Sequence, residues 1–196
     1  MLRVARLSTR LIGPLSLELA AGECAAVQGP SGSGKTLLMR AIADLDPNRG
    51  EVSLGGRARE AFTAPQWRRA VALVPAEPGW WEETVGAHFA ADPDPAPGLA
   101  ALHLEGALGW EVARCSTGER QRLALLRALQ TAPKVLMLDE PTAALDGEAT
   151  AAVEALLRAR MAGGLALLLI THDPAQALRL ATRQYRMDAG RLEAIP

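Results

Sequence analysis

The chain has 196 residues, 49% of them hydrophobic, with 21 Lys and Arg against 22 Asp and Glu for a formal net charge of −1. That length buries a core without staples and fits one domain, and so balanced a charge gives no overall basic field to draw the protein onto nucleic acid. The two cysteines, Cys24 and Cys115, are far apart and lack metal-ligand spacing, which fits a reducing compartment and two small buried apolar side chains.

From Leu2 to Val27 apolar residues alternate in "LSLEL" and "ECAAV", with "GP" and "AAG" as turns, so the sequence predicts short strands. The stretch is not a continuous apolar core with a cleavage site, so it does not read as a secretory signal and the chain is expected in the cytoplasm. The last strand runs into Gly29-Pro30-Ser31-Gly32-Ser33-Gly34-Lys35-Thr36, which fits G-x-x-x-x-G-K-[ST] with a strand before it and a helix, "KTLLMRAIADL", after it. In such a loop the glycines let backbone wrap phosphates, Lys35 reaches the β and γ phosphates, and the Thr36 hydroxyl suits Mg²⁺.

"GEVSLGG" reads as a hairpin strand and "AVALV", Ala70 to Val74, as a short buried one ending at Pro75. Glu82 to Ala90 is read as helical, then a Pro/Asp-rich loop at Asp92 to Gly98 separates it from a second helical piece. Residues 76–114 thus read as a helical insertion in an α/β core. At Cys115 to Arg122, "CSTGERQR" opens a helix whose mouth carries a hydroxyl and a glycine, and a helix mouth with free N–H groups suits an anion. The chain therefore carries two candidate phosphate sites.

That helix runs to Thr131 and is followed by the strand Lys134 to Asp139, a helix from about Gly147 to Met161, the strand Leu165 to Ile170, a helix from Pro174 and two short terminal strands. Aliphatic strands alternating with helices argue a mainly parallel sheet covered on both faces. The run "LALLLI" is far shorter than the roughly 20 residues that span a bilayer. At the carboxyl edge of such a sheet Asp139 suits Mg²⁺, commonly through water, and Glu140 suits a general base for an attacking water. His172, just after a buried strand, is placed to touch a γ-phosphate; His88 and His103 read as structural.

The P-loop, "STGE" with the following "RQRLALLRAL", "VLMLDEPTAALD" and "ITHD", in that order, resemble the ATP-binding subunit of an ABC transporter over nearly the whole chain. The resemblance implies a P-loop NTPase cassette: one domain over residues 1–196, with a mainly parallel core, an N-terminal antiparallel β subdomain and a helical subdomain at about 76–131. It implies ATP and Mg²⁺ as ligands, hydrolysis with Glu140, Lys35 and His172 at the reacting phosphate, and a head-to-tail homodimer. Ser116 and Gly118 would then serve the ATP of a second copy, with Asp146 at the interface, which accounts for two phosphate sites in one chain. A separate transmembrane permease is the implied partner, with the cassette on the cytoplasmic face of the membrane. The sequence around "LLRALQTAPKVLMLDE" and the short insertion resemble small cassettes assigned to metal export, iron included. The other readings are a soluble ABC-type ATPase of repair or translation, or a cassette that holds ATP and cleaves it weakly.

Three positions depart from the family. Where it usually has a glutamine that contacts Mg²⁺ and the attacking water, this chain has Ala76, so either Glu77 substitutes or coupling is weaker. No aromatic residue precedes the P-loop to stack on adenine, leaving Arg10 or Leu11 to cover the base. The signature carries Thr117 and Glu119 in place of Gly and Gln, with an acid welcome in the first helical turn. Trp80 and Trp81 in "GWWEETV" read either as anchors of the helical insertion's own core or as a docking patch for the permease, and the resemblance favours docking for at least one of them.

Overall fold

The computed structural model describes residues 1–195. Strands β1 (Leu2–Ser8), β2 (Leu15–Leu19), β4 (Arg49–Leu54) and β5 (Arg57–Ala58) form an antiparallel sheet in the order β2-β1-β4-β5. β2 alternates buried and exposed residues, the pattern of a sheet packed on one face. Strands β3 (Cys24–Gln28), β6 (Val71–Val74), β7 (Val135–Asp139), β8 (Ala166–Ile170), β9 (Arg183–Asp188) and β10 (Arg191–Ile195) form a second sheet in the order β10-β9-β3-β8-β7-β6. All its pairings are parallel except β10 with β9. β7 and β8 are buried along their whole length, as strands covered on both faces must be.

Two apolar cores follow from the period-two alternation of these strands. Val135 and Met137 of β7, with Ala166, Leu168 and Ile170 of β8, pack beneath the antiparallel sheet and α1 (Lys35–Ile42). Leu136, Leu138, Leu167 and Leu169 face the other way, against α4 (Thr117–Gln130) and α5 (Gly147–Ala162). The chain also forms α3 (Ala96–Ala101) and α6 (Pro174–Leu180). Among the described residues no helix is long and apolar enough to cross a membrane.

The parallel sheet and its alternation with helices are as the sequence predicts; one helix is added to that reading and two local readings need correction. The added helix is α2 (Ala64–Ala70), where Thr63 and Gln66 form a capping box and Pro65 sits in the first turn. Its Trp67 is fully buried, donates Nε1–H to Ile42 O at 2.8 Å and so satisfies a carbonyl at the end of α1. Glu82 to Ala90 is not a helix: only a 3₁₀ turn forms, at Gly86–His88. There His88 Nε2 accepts from the Trp81 and Glu82 amides, both at 3.0 Å, and a side chain at Gly86 would strike Leu108 O. The supposed Pro/Asp loop is shorter than Asp92–Gly98, because α3 begins at Ala96 with Pro97 in its first turn.

Candidate functional site

Parallel register brings three strand ends onto one rung: Val27 pairs with Ile170, and Ile170 with Asp139. The segments that leave them carry Gly29 to Thr36, His172 and Glu140, so the chemistry-bearing residues gather at one carboxyl edge of the sheet. β6 leaves the same edge, its Val74 paired with Leu138, and leads to Ala76.

At the P-loop, Gly34 caps α1 in a left-handed conformation, φ 107°, with no side chain on the first-turn amides. Those N–H groups and the positive end of the helix dipole are left for an anion. A Cβ at Gly29 would collide with Met187 O, and one at Gly34 with Ile12 Cγ2, so only glycine lets the loop close this tightly. Ser33 Oγ is buried without a hydrogen-bond partner. Lys35 is 7% exposed, and its Nζ donates to Gly29 O and Pro30 O, both at 2.9 Å. Thr36 Oγ1 donates to Asp139 Oδ2 at 2.6 Å. This hydroxyl and carboxylate are hard oxygen donors of the kind Mg²⁺ takes, and an ion held by one or two protein oxygens completes its shell with water and phosphate. Among the described residues no three His, Cys, Asp or Glu side chains gather into an all-protein cage.

Glu140 has φ 52°, left-handed for a non-glycine residue, and its N–H donates to Ile170 O at 3.0 Å. Its Oε2 accepts from the His172 amide at 3.3 Å; Oε1 lies 3.4 Å from His172 Nε2 but is buried without a hydrogen-bond partner. Burial pushes the Glu140 carboxyl above the ordinary carboxylate range, helped by the nearby Asp139 charge and partly opposed by His172 and Lys35. A raised carboxyl with an unengaged oxygen is suited to accept a proton from water. Glu140, His172 and Asp146 line one cavity of about 830 Å³, together with Thr142, Asp173 and Glu154. Asp146 Oδ1 accepts from Ala149 N at 2.8 Å and so caps α5.

The mouth of α4 differs from the open anion site read from sequence. Ser116 Oγ accepts from Glu119 N at 3.2 Å and Glu119 Oε2 from Ser116 N at 2.7 Å, a capping box. The bond from the Ser116 amide, acting against partial burial, holds the Glu119 carboxyl below its ordinary range. The amides of Thr117 and Gly118 are the donors left at that end. Gly118 is buried: a Cβ there would lie 2.8 Å from both Ala144 O and Leu145 Cδ2. Among the described residues no hydrogen bond joins Ser116 to the P-loop, so the two candidate phosphate sites are separate within one chain.

Glu77 is exposed, and Ala76 offers its carbonyl to Gln121 Nε2 at 3.2 Å. Leu11 is 74% exposed, and a Cβ at Gly190 would meet its carbonyl. Trp80 is partly buried and Trp81 is 70% exposed; Arg127 lies over both rings at 4.5 and 4.8 Å. Cys24 and Cys115 are free and buried, and burial, with the Glu23 charge beside it, pushes the Cys24 thiol up to about 12.

A family model described as ABC transporter matches residues 12–143. The chain is 36% identical to the sulfate/thiosulfate import ATP-binding protein CysA of Caulobacter vibrioides, over 94% of this chain and 59% of that protein. It is 38% identical to the aliphatic sulfonates import ATP-binding protein SsuB of Granulibacter bethesdensis, over 95% of this chain and 77% of that protein. It therefore spans about three fifths of the first relative's length and three quarters of the second's. A solved structure of the ATP-binding subunit of an ABC transporter superposes with a TM-score of 0.90 at 25% identity, covering 100% of this chain and 90% of that one.

Proposed function

The chain belongs to the ABC transporter family, and from that premise we propose that it binds ATP with Mg²⁺, hydrolyses it within a head-to-tail dimer of two copies, and drives a separate transmembrane permease from the cytoplasmic face of the membrane. The observation that carries this reading is the Thr36–Asp139 contact at 2.6 Å, below a P-loop helix with no side-chain cap and one residue from Glu140. Bound Mg²⁺ supplies charge stabilisation at the β and γ phosphates. Gly29 to Thr36 wrap the phosphates, with Pro30, Ser31, Gly32 and Ser33 contributing backbone. Lys35 exchanges the Gly29 and Pro30 carbonyls for phosphate oxygens. Glu140 takes a proton from the attacking water, and His172 steadies both Glu140 and the γ-phosphate.

Ser116 and Gly118 of one copy complete the site of the other, with Asp146 beside them; two half-sites in one chain then make two whole sites in a pair. Residues 76–131 act as the helical subdomain of a single cassette. The permease contact falls on the cleft of about 520 Å³ beside α4, where the exposed Trp81 stands next to Pro78 and Arg127. An aromatic with one face packed and one exposed is suited to such a contact.

The test is ATP turnover with Mg²⁺ for the wild type and Lys35→Ala, with nucleotide affinity by calorimetry. Removing the cation that neutralises the β and γ phosphates is expected to abolish binding at working concentrations. An unchanged affinity in Lys35→Ala would refute the P-loop assignment.

A further inference from the structure

Gln121 lies in α4, five residues beyond the Ser116 cap, on a helix otherwise buried through Leu123, Ala124, Leu125 and Leu126. It is 7% exposed. A buried amide is unfavourable unless hydrogen-bonded, and helix packing alone would be served as well by an aliphatic side chain. Its Nε2 donates to two backbone carbonyls, Ala76 O at 3.2 Å and Glu140 O at 3.4 Å. Both neighbours are acceptors, so only the NH₂ end can face them and the orientation of the amide is fixed. Its Oε1 is buried without a partner.

Glu140 holds a left-handed backbone that a non-glycine residue keeps only when its surroundings impose it. Its N–H is tied to β8 through Ile170 O. Its carbonyl is tied to α4 through Gln121. We propose that Gln121 is a positioning residue: it pins the Glu140 peptide to the signature helix and so aims the Glu140 carboxylate according to how that helix is engaged. The same amide secures the Ala76 loop through the Ala76 carbonyl. The inference rests on the function proposed above, because the Ser116 end of α4 meets the other copy's nucleotide there. Movement of α4 on that engagement pulls the Glu140 carbonyl, so hydrolysis in one site depends on occupation of the other.

Gln121→Met keeps length and an unbranched shape while deleting both donors. The expected result is ATP affinity and KM within about twofold of wild type, with kcat lower by roughly 10- to 100-fold, the scale of a small misplacement of reacting groups, and a loss of cooperativity in ATP. In a Glu140→Gln background, Gln121→Met is expected to lower turnover no further, because the two act through one group. Wild-type kcat and cooperativity in Gln121→Met, or a full additional loss in the Glu140→Gln background, would overturn the proposal. Should Gln121→Met fail to fold, Gln121→Glu retains the shape but turns an acceptor toward both carbonyls, and it must show the same split between kcat and KM. Wild-type turnover, measured alongside, separates the two ideas: a wild type that binds ATP without cleaving it overturns both, whereas a hydrolysing wild type with unaffected variants overturns only the role of Gln121.

Discussion

Replacing Glu154 by Gln tests how the segments after β7 and β8 are braced behind the site. The Glu154 side chain is 4% exposed on α5. It receives Arg179 Nε at 2.9 Å, Arg179 Nη2 at 2.7 Å and Arg158 Nη2 at 3.0 Å. Arg179 also lies 3.5 Å from Asp173, the cap of α6 that follows His172. Burial pushes the Glu154 carboxyl up, but the hydrogen bonds and charge of Arg179, with Gln176 and Arg158, outweigh it and hold the carboxyl below its ordinary range. Hydrogen bonds to charged groups contribute about 1.5–3 kcal/mol each. Glutamine keeps part of this geometry, and the arginine side chains are 43% and 47% exposed, so water recovers much of the loss. The net destabilisation expected at pH 7 is about 2 kcal/mol, or roughly 4–8 °C in Tm for a domain of this size. Because the folded pKa is depressed, the stabilisation is complete above the unfolded value of about 4.3 and disappears as pH falls through the folded one. Urea unfolding of both proteins at pH 7, 5 and 3 should therefore show a constant gap that narrows only at the acid end, as a protonated Glu154 becomes a near equivalent of glutamine. A gap under about 0.5 kcal/mol at pH 7, or one that persists unchanged in acid, would refute the reasoning.

Thr36→Val removes the 2.6 Å bond to Asp139 and one hard oxygen; the Mg²⁺ needed for half-maximal turnover should rise by roughly 10- to 100-fold, and a superimposable Mg²⁺ titration would count against the site. Gly118→Ala gains about 1 kcal/mol in helix propensity but meets Ala144 O and Leu145 Cδ2 at 2.8 Å, an overpacking cost of about 1–3 kcal/mol. Urea unfolding should show a net loss; a more stable variant would show that this contact yields freely. Glu77 is exposed and makes no side-chain hydrogen bond among the described residues, so Glu77→Ala should leave turnover unchanged. Ala76→Gln, which adds an oxygen able to reach the metal's shell, should lower the Mg²⁺ requirement; the reverse order of effects would show that Glu77 has taken the glutamine's place.

The parts legible in the sequence were those fixed by neighbours in the chain. The P-loop needs its glycines within eight residues, and Ser116 caps a helix with Glu119 three residues on; spacing alone reveals both. The capping box Thr63–Gln66 was equally local and marks α2, yet the run before "AVALV" lacks apolar periodicity and hides it. Glu82 to Ala90 has helical composition, but His88 spends its ring on the amides of Trp81 and Glu82, and Leu108 leaves Gly86 no room for a side chain. The Gln121 amide and the Glu154–Arg179 pair are bonds between residues 19 to 45 apart in sequence. No periodicity signals such a pairing, nor the left-handed backbone of Glu140, whose N–H is bonded to β8 and whose carbonyl is bonded to α4.

The central claim is that the P-loop of one copy and the Ser116 end of another close on the same nucleotide. Glu140→Gln keeps the binding groups while removing the base, and it should slow turnover by roughly 10²- to 10⁴-fold. Sizing chromatography of this variant with ATP and Mg²⁺ should then show a dimer that returns to monomer when Ser116→Arg fills the mouth of α4. A strictly monomeric Glu140→Gln under saturating ATP and Mg²⁺, or a dimer indifferent to Ser116→Arg, would contradict the composite site.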